Sequence, residues 1–167
     1  ASTFVSVMFL VNLLFFRKAA ISVNALRPRD RADQDDVCVS VLIPARNEAL
    51  RIGPLLDSVL ASEGVSCDLC VLDDESQDGT DAIVEAYSRR HSNVRLLKGA
   101  PVPVGWSGKQ FACYQLAQQA KYEELVFLDA DVALSKDGLV RAVTQRRRTG
   151  ADLLSGFPRQ RVITMGE

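Results

Sequence analysis

Two kinds of apolar pattern take turns along this chain. Short apolar runs, rich in β-branched residues or leucine, occur at Val37 to Ile43, Leu69 to Leu72, Val94 to Leu97 and Glu124 to Leu128. Between them, apolar residues recur at helical spacing. Ile52, Leu55, Leu56, Val59 and Leu60 fall at i, i+3, i+4, i+7 and i+8. Ala112, Cys113, Leu116, Ala117 and Ala120 share one face of a helix predicted over about Lys109 to Ala120. Further helices are predicted from about Asp81 to Arg90 and Lys136 to Arg147, with a fifth strand near Asp152 to Gly156. Pro44 stops the first run, and Pro54 fits only the first turn of the helix after it. Strands alternating with helices of this length predict an α/β domain with a mostly parallel sheet flanked by helices. Leu125 to Leu128 is apolar at every position, which reads as a strand buried on both faces.

The N-terminus departs from this rhythm. Residues 1–16 carry no charge, and Arg17-Lys18 follow at once. Spanning a bilayer takes roughly 20 apolar residues. Residues 1–18 therefore read as the tail of a membrane-anchoring hydrophobic helix, or as one packed on the domain or used for dimerisation. Positive charge after the run favours a cytoplasmic position for the domain that follows. Residues 19–36 form a polar connector ending in Asp33-Gln34-Asp35-Asp36, and residues 37–167 form the folded domain.

Composition changes this picture little. With 47% apolar and 25% charged residues, the chain can bury the core of one domain. A net charge of -1 excludes wholesale nucleic-acid binding. The basic clusters Arg17-Lys18, Arg27-Pro28-Arg29 and Arg146-Arg147-Arg148 read as solvated faces. Of the four cysteines, Cys38, Cys67, Cys70 and Cys113, Cys67 and Cys70 form a C-x-x-C with no second pair at or in an apolar run, so they read as buried free thiols rather than a zinc site. His91, the sole histidine, sits at a predicted helix end. Any Ser-His-Asp triad would have to use it.

Ligands of open α/β sheets bind beyond the carboxyl ends of the strands, and three predicted strand ends carry polar chemistry. Pro44-Ala45-Arg46-Asn47-Glu48 could line a base and ribose, or start a helix with Asn47 as its cap. Asp73 and Asp74 point to opposite faces of a strand. One of them can then accept from a nucleobase or ribose while the other caps the following turn. Pro103-Val104-Gly105-Trp106-Ser107-Gly108-Lys109 opens a helix whose free N–H groups, with Lys109, suit an anion. Gln110 stands where a Walker A loop needs Ser or Thr. Trp106 suits stacking on a ligand or packing in the core. Asp129 and Asp131, two residues apart after an apolar strand, point the same way and can share a hard divalent cation that holds a diphosphate.

In these motifs and their order, about Val39 to Phe157, the chain resembles the family 2 glycosyltransferases of the GT-A fold. The matching elements are PARNE, DDESQDGT, the Gly-Lys helix start and DAD. The Gly-Trp-Ser-Gly-Lys variant is similar to the bacterial hopene-associated and carotenoid (diaponeurosporenoate-type) branch. The resemblance implies a GT-A Rossmann-like sheet and inverting transfer of a sugar from a UDP-sugar, assisted by Mg²⁺ or Mn²⁺. It implies that Pro44, Ala45, Arg46 and Glu48 border the nucleoside, and that Asp74, alone or with Asp73, holds the uracil. Lys109 would approach the uridine or diphosphate, Asp129 the ribose and metal, and Asp131 the metal. The acceptor would be a lipid or isoprenoid at a membrane.

The family's downstream general base has no match up to Glu167. The expectation is an incomplete donor half lacking the acceptor half, with the base beyond residue 167. Two alternatives remain: a nucleotide-binding fragment without turnover, and a haloacid-dehalogenase-type phosphatase in which LVFLDADV would supply an aspartyl nucleophile.

Overall fold

The structure is a computed structural model that describes residues 37–156. The predicted N-terminal helix and connector, residues 1–36, lie outside the described residues, as do residues 157–167. The elements run β1 (Cys38–Ala45), α1 (Ile52–Leu60), β2 (Ser66–Asp73), α2 (Thr80–Ser88), β3 (Val94–Lys98), α3 (Gly108–Gln118), β4 (Leu125–Phe127) and α4 (Gly138–Thr149). All four strands are parallel, in the order β3-β2-β1-β4. This is the alternating sheet that the apolar pattern predicts.

The alternation of side chains across the sheet builds two cores. Val39, Val41, Ile43 and Ala45 of β1 face one side, where they meet Ile52, Leu55, Leu56 and Val59 of α1, Val84 of α2 and Leu139 and Val143 of α4. Leu42 of β1 faces the other side with Cys70 and Leu72 of β2, under Ala112 and Leu116 of α3. Each such buried Leu, Ile or Val stabilises the fold by about 1.5–3 kcal/mol relative to exposure. The cysteines are free thiols, as expected, but of the Cys67–Cys70 pair only Cys70 is buried and Cys67 is half-buried. Burial pushes the Cys70 thiol up to about 11.

Three strand expectations need correction. Pro44 does not stop β1, which runs on to Ala45 in register with Asp73. Ser40 N–H bonds to Glu124 O and Leu42 O accepts from Leu128 N–H, so even-numbered residues of β1 bond toward β4. Pro44 falls where β4 has ended, and its missing N–H forfeits no ladder bond. Next, β4 is not buried on both faces. Leu125 and Phe127 pair with Ser40 and Leu42 on the α3 side, but α3 does not reach them, and they stay 41% and 45% exposed. Finally, no fifth strand forms near Asp152 to Gly156; these residues are irregular and Leu153 and Leu154 are exposed. An apolar pattern alone does not make a strand without a ladder partner.

Polar side chains hold the sheet ends. Ser40, fully buried, accepts the backbone N–H groups of Lys121 (3.0 Å) and Tyr122 (2.8 Å) on its hydroxyl. That contact anchors the entry to β4. Arg146 donates to both oxygens of Glu124 at 3.0 and 2.6 Å, and Arg147 adds a bond at 3.1 Å. Two arginines of the supposed solvated cluster thus clamp α4 to the start of β4.

Candidate functional site

The carboxyl ends of β1, β2 and β4 and the start of α3 open on one edge of the sheet. The first loop leaves β1 at Ala45, and the second leaves β2 at Asp73. They are stitched together by side chains the sequence reading left out of the site. Asn47 donates its backbone N–H to Ser76 Oγ (2.9 Å), and its Oδ1 accepts from Gln77 N–H (2.9 Å). Glu48 N–H bonds to Thr80 Oγ1 (2.8 Å), and Ala49 N–H to Asp78 Oδ2 (2.9 Å). The Thr80 hydroxyl in turn donates to Asp78 Oδ1 at 2.6 Å, which holds the Asp78 carboxyl below its usual range. Asn47 and Glu75 are the two non-glycine residues with positive φ among the described residues, at 55° and 58°. Such backbone costs energy and persists where surrounding bonds over-determine it. Asn47 therefore does not cap the next helix: α1 starts after Arg51 with no side-chain cap. The available signal was Asn itself, which tolerates the left-handed region better than most residues.

The expected divergence of Asp73 and Asp74 is present, and the two roles separate. Asp73 shares a face with β1 Ala45 and β3 Lys98. Its side chain is 3% exposed, pairs with Lys98 Nζ at 3.0 Å and accepts from Ser76 N–H at 3.3 Å. Lys98 also reaches Asp81 of α2 at 2.7 Å, and these partners hold its ammonium above its usual range. Asp73 is thus spent on the turn. Asp74 emerges on the α3 side, 17% exposed, with Arg46 at 3.6 Å. A Cβ added at Gly99 or Gly108 would meet an Asp74 oxygen at 3.4 Å. These two glycines let backbone approach the carboxylate closely.

The Pro103–Trp106 turn (Trp106 N–H to Pro103 O, 3.2 Å) needs Gly105, whose φ is 90°, to reverse the chain before α3. Ser107 caps α3 by accepting from Gln110 N–H, as the free helix start requires. Trp106 is no core residue. It is partly exposed, with its ring 5.6 Å from Phe111 and 5.3 Å from Tyr114.

Lys109, in the first turn of α3, forms an ion pair with Asp129 just past β4. The Asp129 carboxylate raises the Lys109 ammonium above its usual range. Asp129 and Asp131 are both exposed and flank the buried Ala130. The chain turns here, with Val132 N–H bonded to Asp129 O at 3.2 Å, so the strand alternation that paired the two carboxylates does not extend to Asp131. The charges of both still act on the Lys109 ammonium. Among the described residues no three His, Cys, Asp or Glu side chains form a ready-made metal cluster. Two carboxylates suit Mg²⁺ or Mn²⁺, which bind through one or two carboxylates plus substrate phosphates and water. The donor set fits such an ion.

Of the predicted residues, Arg46, Asp74, Lys109 and Asp129 are linked pairwise across this edge, and Asp131 lies beside Asp129. Ala45 is buried in the core and Pro44 is half-buried, so these two can offer only backbone. Glu48 is half-buried and pairs with Arg51 at 3.2 Å.

The model of the family described as Glycosyl transferase family 2 matches residues 40–164. The 4,4'-diaponeurosporenoate glycosyltransferase of Staphylococcus haemolyticus is 32% identical over 133 residues, covering 80% of this chain and 33% of the relative. The enzyme of the same name from Staphylococcus aureus is 32% identical over 139 residues, covering 83% and 34%. The chain thus spans about a third of the length of the curated relatives it matches. Among solved structures, the mannosyltransferase PcManGT of Pyrobaculum calidifontis, in complex with GDP-Man and Mn²⁺, superposes with a TM-score of 0.59 at 25% identity, over 83% of this chain and 40% of that one. TarS 1–349 of S. aureus, in complex with UDP, gives 0.55 at 27% identity, over 67% and 32%. The parallel sheet is the GT-A Rossmann-like fold that the resemblance implied.

Proposed function

The chain belongs to glycosyl transferase family 2, and we propose that residues 37–156 form the side of such an enzyme that holds a UDP-sugar donor. The observation that carries this reading is the meeting of Arg46–Asp74 and Lys109–Asp129 at the carboxyl edge of one parallel sheet. Asp74, enclosed by Gly99 and Gly108, accepts the imide N–H of the uracil. The backbone of Pro44 and Ala45, with Arg46 and Glu48, borders the nucleoside, and Asp73 fixes the turn after β2 through Lys98 and Ser76. Lys109 and the N-terminal N–H groups of α3 attract the diphosphate. Asp129, which also meets the ribose, and Asp131 would hold Mg²⁺ or Mn²⁺. When bound, that ion supplies Lewis-acid screening of the charge developing on the leaving diphosphate. The Mn²⁺ in the GDP-Man complex of PcManGT supports a divalent ion, and that complex and the UDP complex of TarS support a nucleotide donor.

The acceptor is a lipid or isoprenoid at a membrane, with the domain on the cytoplasmic side. Support comes from the substrate named for the staphylococcal relatives and from the uncharged N-terminal run. No helix among the described residues is long and apolar enough to cross a membrane. We assign the general base to a part of the protein outside residues 37–156. The family match takes LVFLDADV into a transferase frame and leaves the phosphatase alternative without support.

Calorimetry with UDP and Mn²⁺ tests the reading. Metal-dependent UDP binding that is lost in Asp131→Ala is expected. No metal dependence, or indifference to that substitution, would overturn it, and hydrolysis of small phosphate esters would restore the phosphatase. Tighter binding of GDP than UDP would reassign the base.

A further inference from the structure

Lys109 and Asp129 form an ion pair at the proposed donor site. Asp129 is the carboxylate nearer the sheet in the proposed metal pair, and Lys109 is the cation aimed at the diphosphate. Lys109 reaches one oxygen of Asp129, Oδ1, so the ammonium and a metal would draw on the charge of the same carboxylate and each would weaken the other's hold. We propose that the Lys109 ammonium is a resident counter-ion for Asp129, which the divalent metal displaces, so that metal binding hands Lys109 over to the diphosphate. This rests on the donor-site reading above.

Three observations carry the inference. Lys109 sits in the first turn of α3, and Asp129 lies one residue beyond the last strand bond, Leu128 N–H to Leu42 O. The two backbones are therefore held by separate rigid elements, and only the side chains need move. Both side chains are largely exposed, at 66% and 60%, so the pair is weak enough to be broken by an ion. Finally, among the described residues Asp131 carries no hydrogen bond or ion pair, and its charge also acts on Lys109, so it stays open to receive the ion first. The exchange is one of charge. The metal replaces an ammonium on Asp129, and the freed ammonium meets the negative charge that the nucleotide brings. Each step keeps Asp129 and the phosphates near a cation, and no covalent bond changes.

The exchange makes Lys109 a competitor of the metal in the absence of nucleotide. This is opposite to the behaviour of a lysine that only binds phosphate. Mn²⁺ binding to the full chain, without nucleotide, is read from the loss of the free-ion paramagnetic resonance signal. Lys109→Met is expected to bind Mn²⁺ about two- to fivefold tighter than the wild type, the range set by an exposed ion pair. Lys109→Arg, which keeps a cation, is expected to stay near the wild-type value. Arg46→Met removes a different cation from the same edge and controls for general charge. Unchanged Mn²⁺ affinity in Lys109→Met, or equal tightening in Arg46→Met, would overturn the exchange. UDP binding in the presence of Mn²⁺, measured on the wild type and Asp131→Ala, separates the two levels. If it depends on metal and on Asp131 while Lys109→Met leaves Mn²⁺ affinity unchanged, only the exchange fails. If it depends on neither, the donor-site reading fails. Circular dichroism of each variant checks that these exposed substitutions leave the fold intact.

Discussion

Thr80 receives the backbone N–H of Glu48 on its hydroxyl at 2.8 Å, across 32 residues of chain. The same hydroxyl donates to Asp78 at 2.6 Å. One buried side chain therefore joins the loop after β1 to the loop after β2, and both border the proposed nucleoside. Thr80→Val keeps the shape and removes both bonds, leaving the Glu48 N–H unpaired. A loss of about 1–3 kcal/mol of stability is expected, measured by urea denaturation, together with weaker UDP binding. Stability unchanged within error would show that the two loops hold without this bond.

Asp73 and Asp74 should fail in different ways. Asp73 is buried against Lys98, so Asp73→Ala leaves that cation without a buried partner and lowers the melting temperature. Asp74 faces the open edge beside Arg46, so Asp74→Ala lowers UDP affinity by about tenfold, the scale of a hydrogen bond to a charged group, with little change in melting. The reverse pattern would exchange their roles.

Ser40 reports on the placement of the DAD segment. Ser40→Ala leaves two backbone N–H groups, of Lys121 and Tyr122, without their acceptor at the entry to β4. A destabilisation of about 1–3 kcal/mol is expected. Hydrogen exchange should rise locally at residues 121–128. Exchange confined to the opposite edge of the sheet would contradict the anchoring role.

Acid should loosen the clamp on β4. The Arg146 guanidinium, with Arg147, holds the Glu124 carboxyl below its usual range. A carboxylate lowered in the folded state contributes stability that is fully present above its unfolded pKa, about 4.3. That contribution is lost as pH falls through the lower, folded value. The stability difference between wild type and Glu124→Gln, about 1 kcal/mol for such a pair, should be flat above about pH 5 and shrink below about pH 4. A difference that grows in acid would exclude the linkage. Denaturation series at several pH values measure it.

The alternating apolar runs determined the α/β class, the parallel strands, the strand-end location of Arg46, Asp74, Asp129 and Asp131 and the helix-start location of Lys109, because period and strand polarity are local properties of a sequence. Alternation across β2 also foretold that Asp73 and Asp74 would part. What the sequence could not determine depends on neighbours far along the chain. Pro44 stays in β1 because β4 ends beside it. Leu125 and Phe127 stay exposed because α3 covers β1 and β2 but not β4. Asn47, Ser76, Asp78 and Thr80 became the stitching of the site only when two loops about 30 residues apart met. The DAD carboxylates, marked in the sequence as a metal pair, acquired in the folded protein a resident cation, Lys109, delivered by a helix start 20 residues earlier. Local pattern names the groups, and the packing of separate elements decides which charge each group meets.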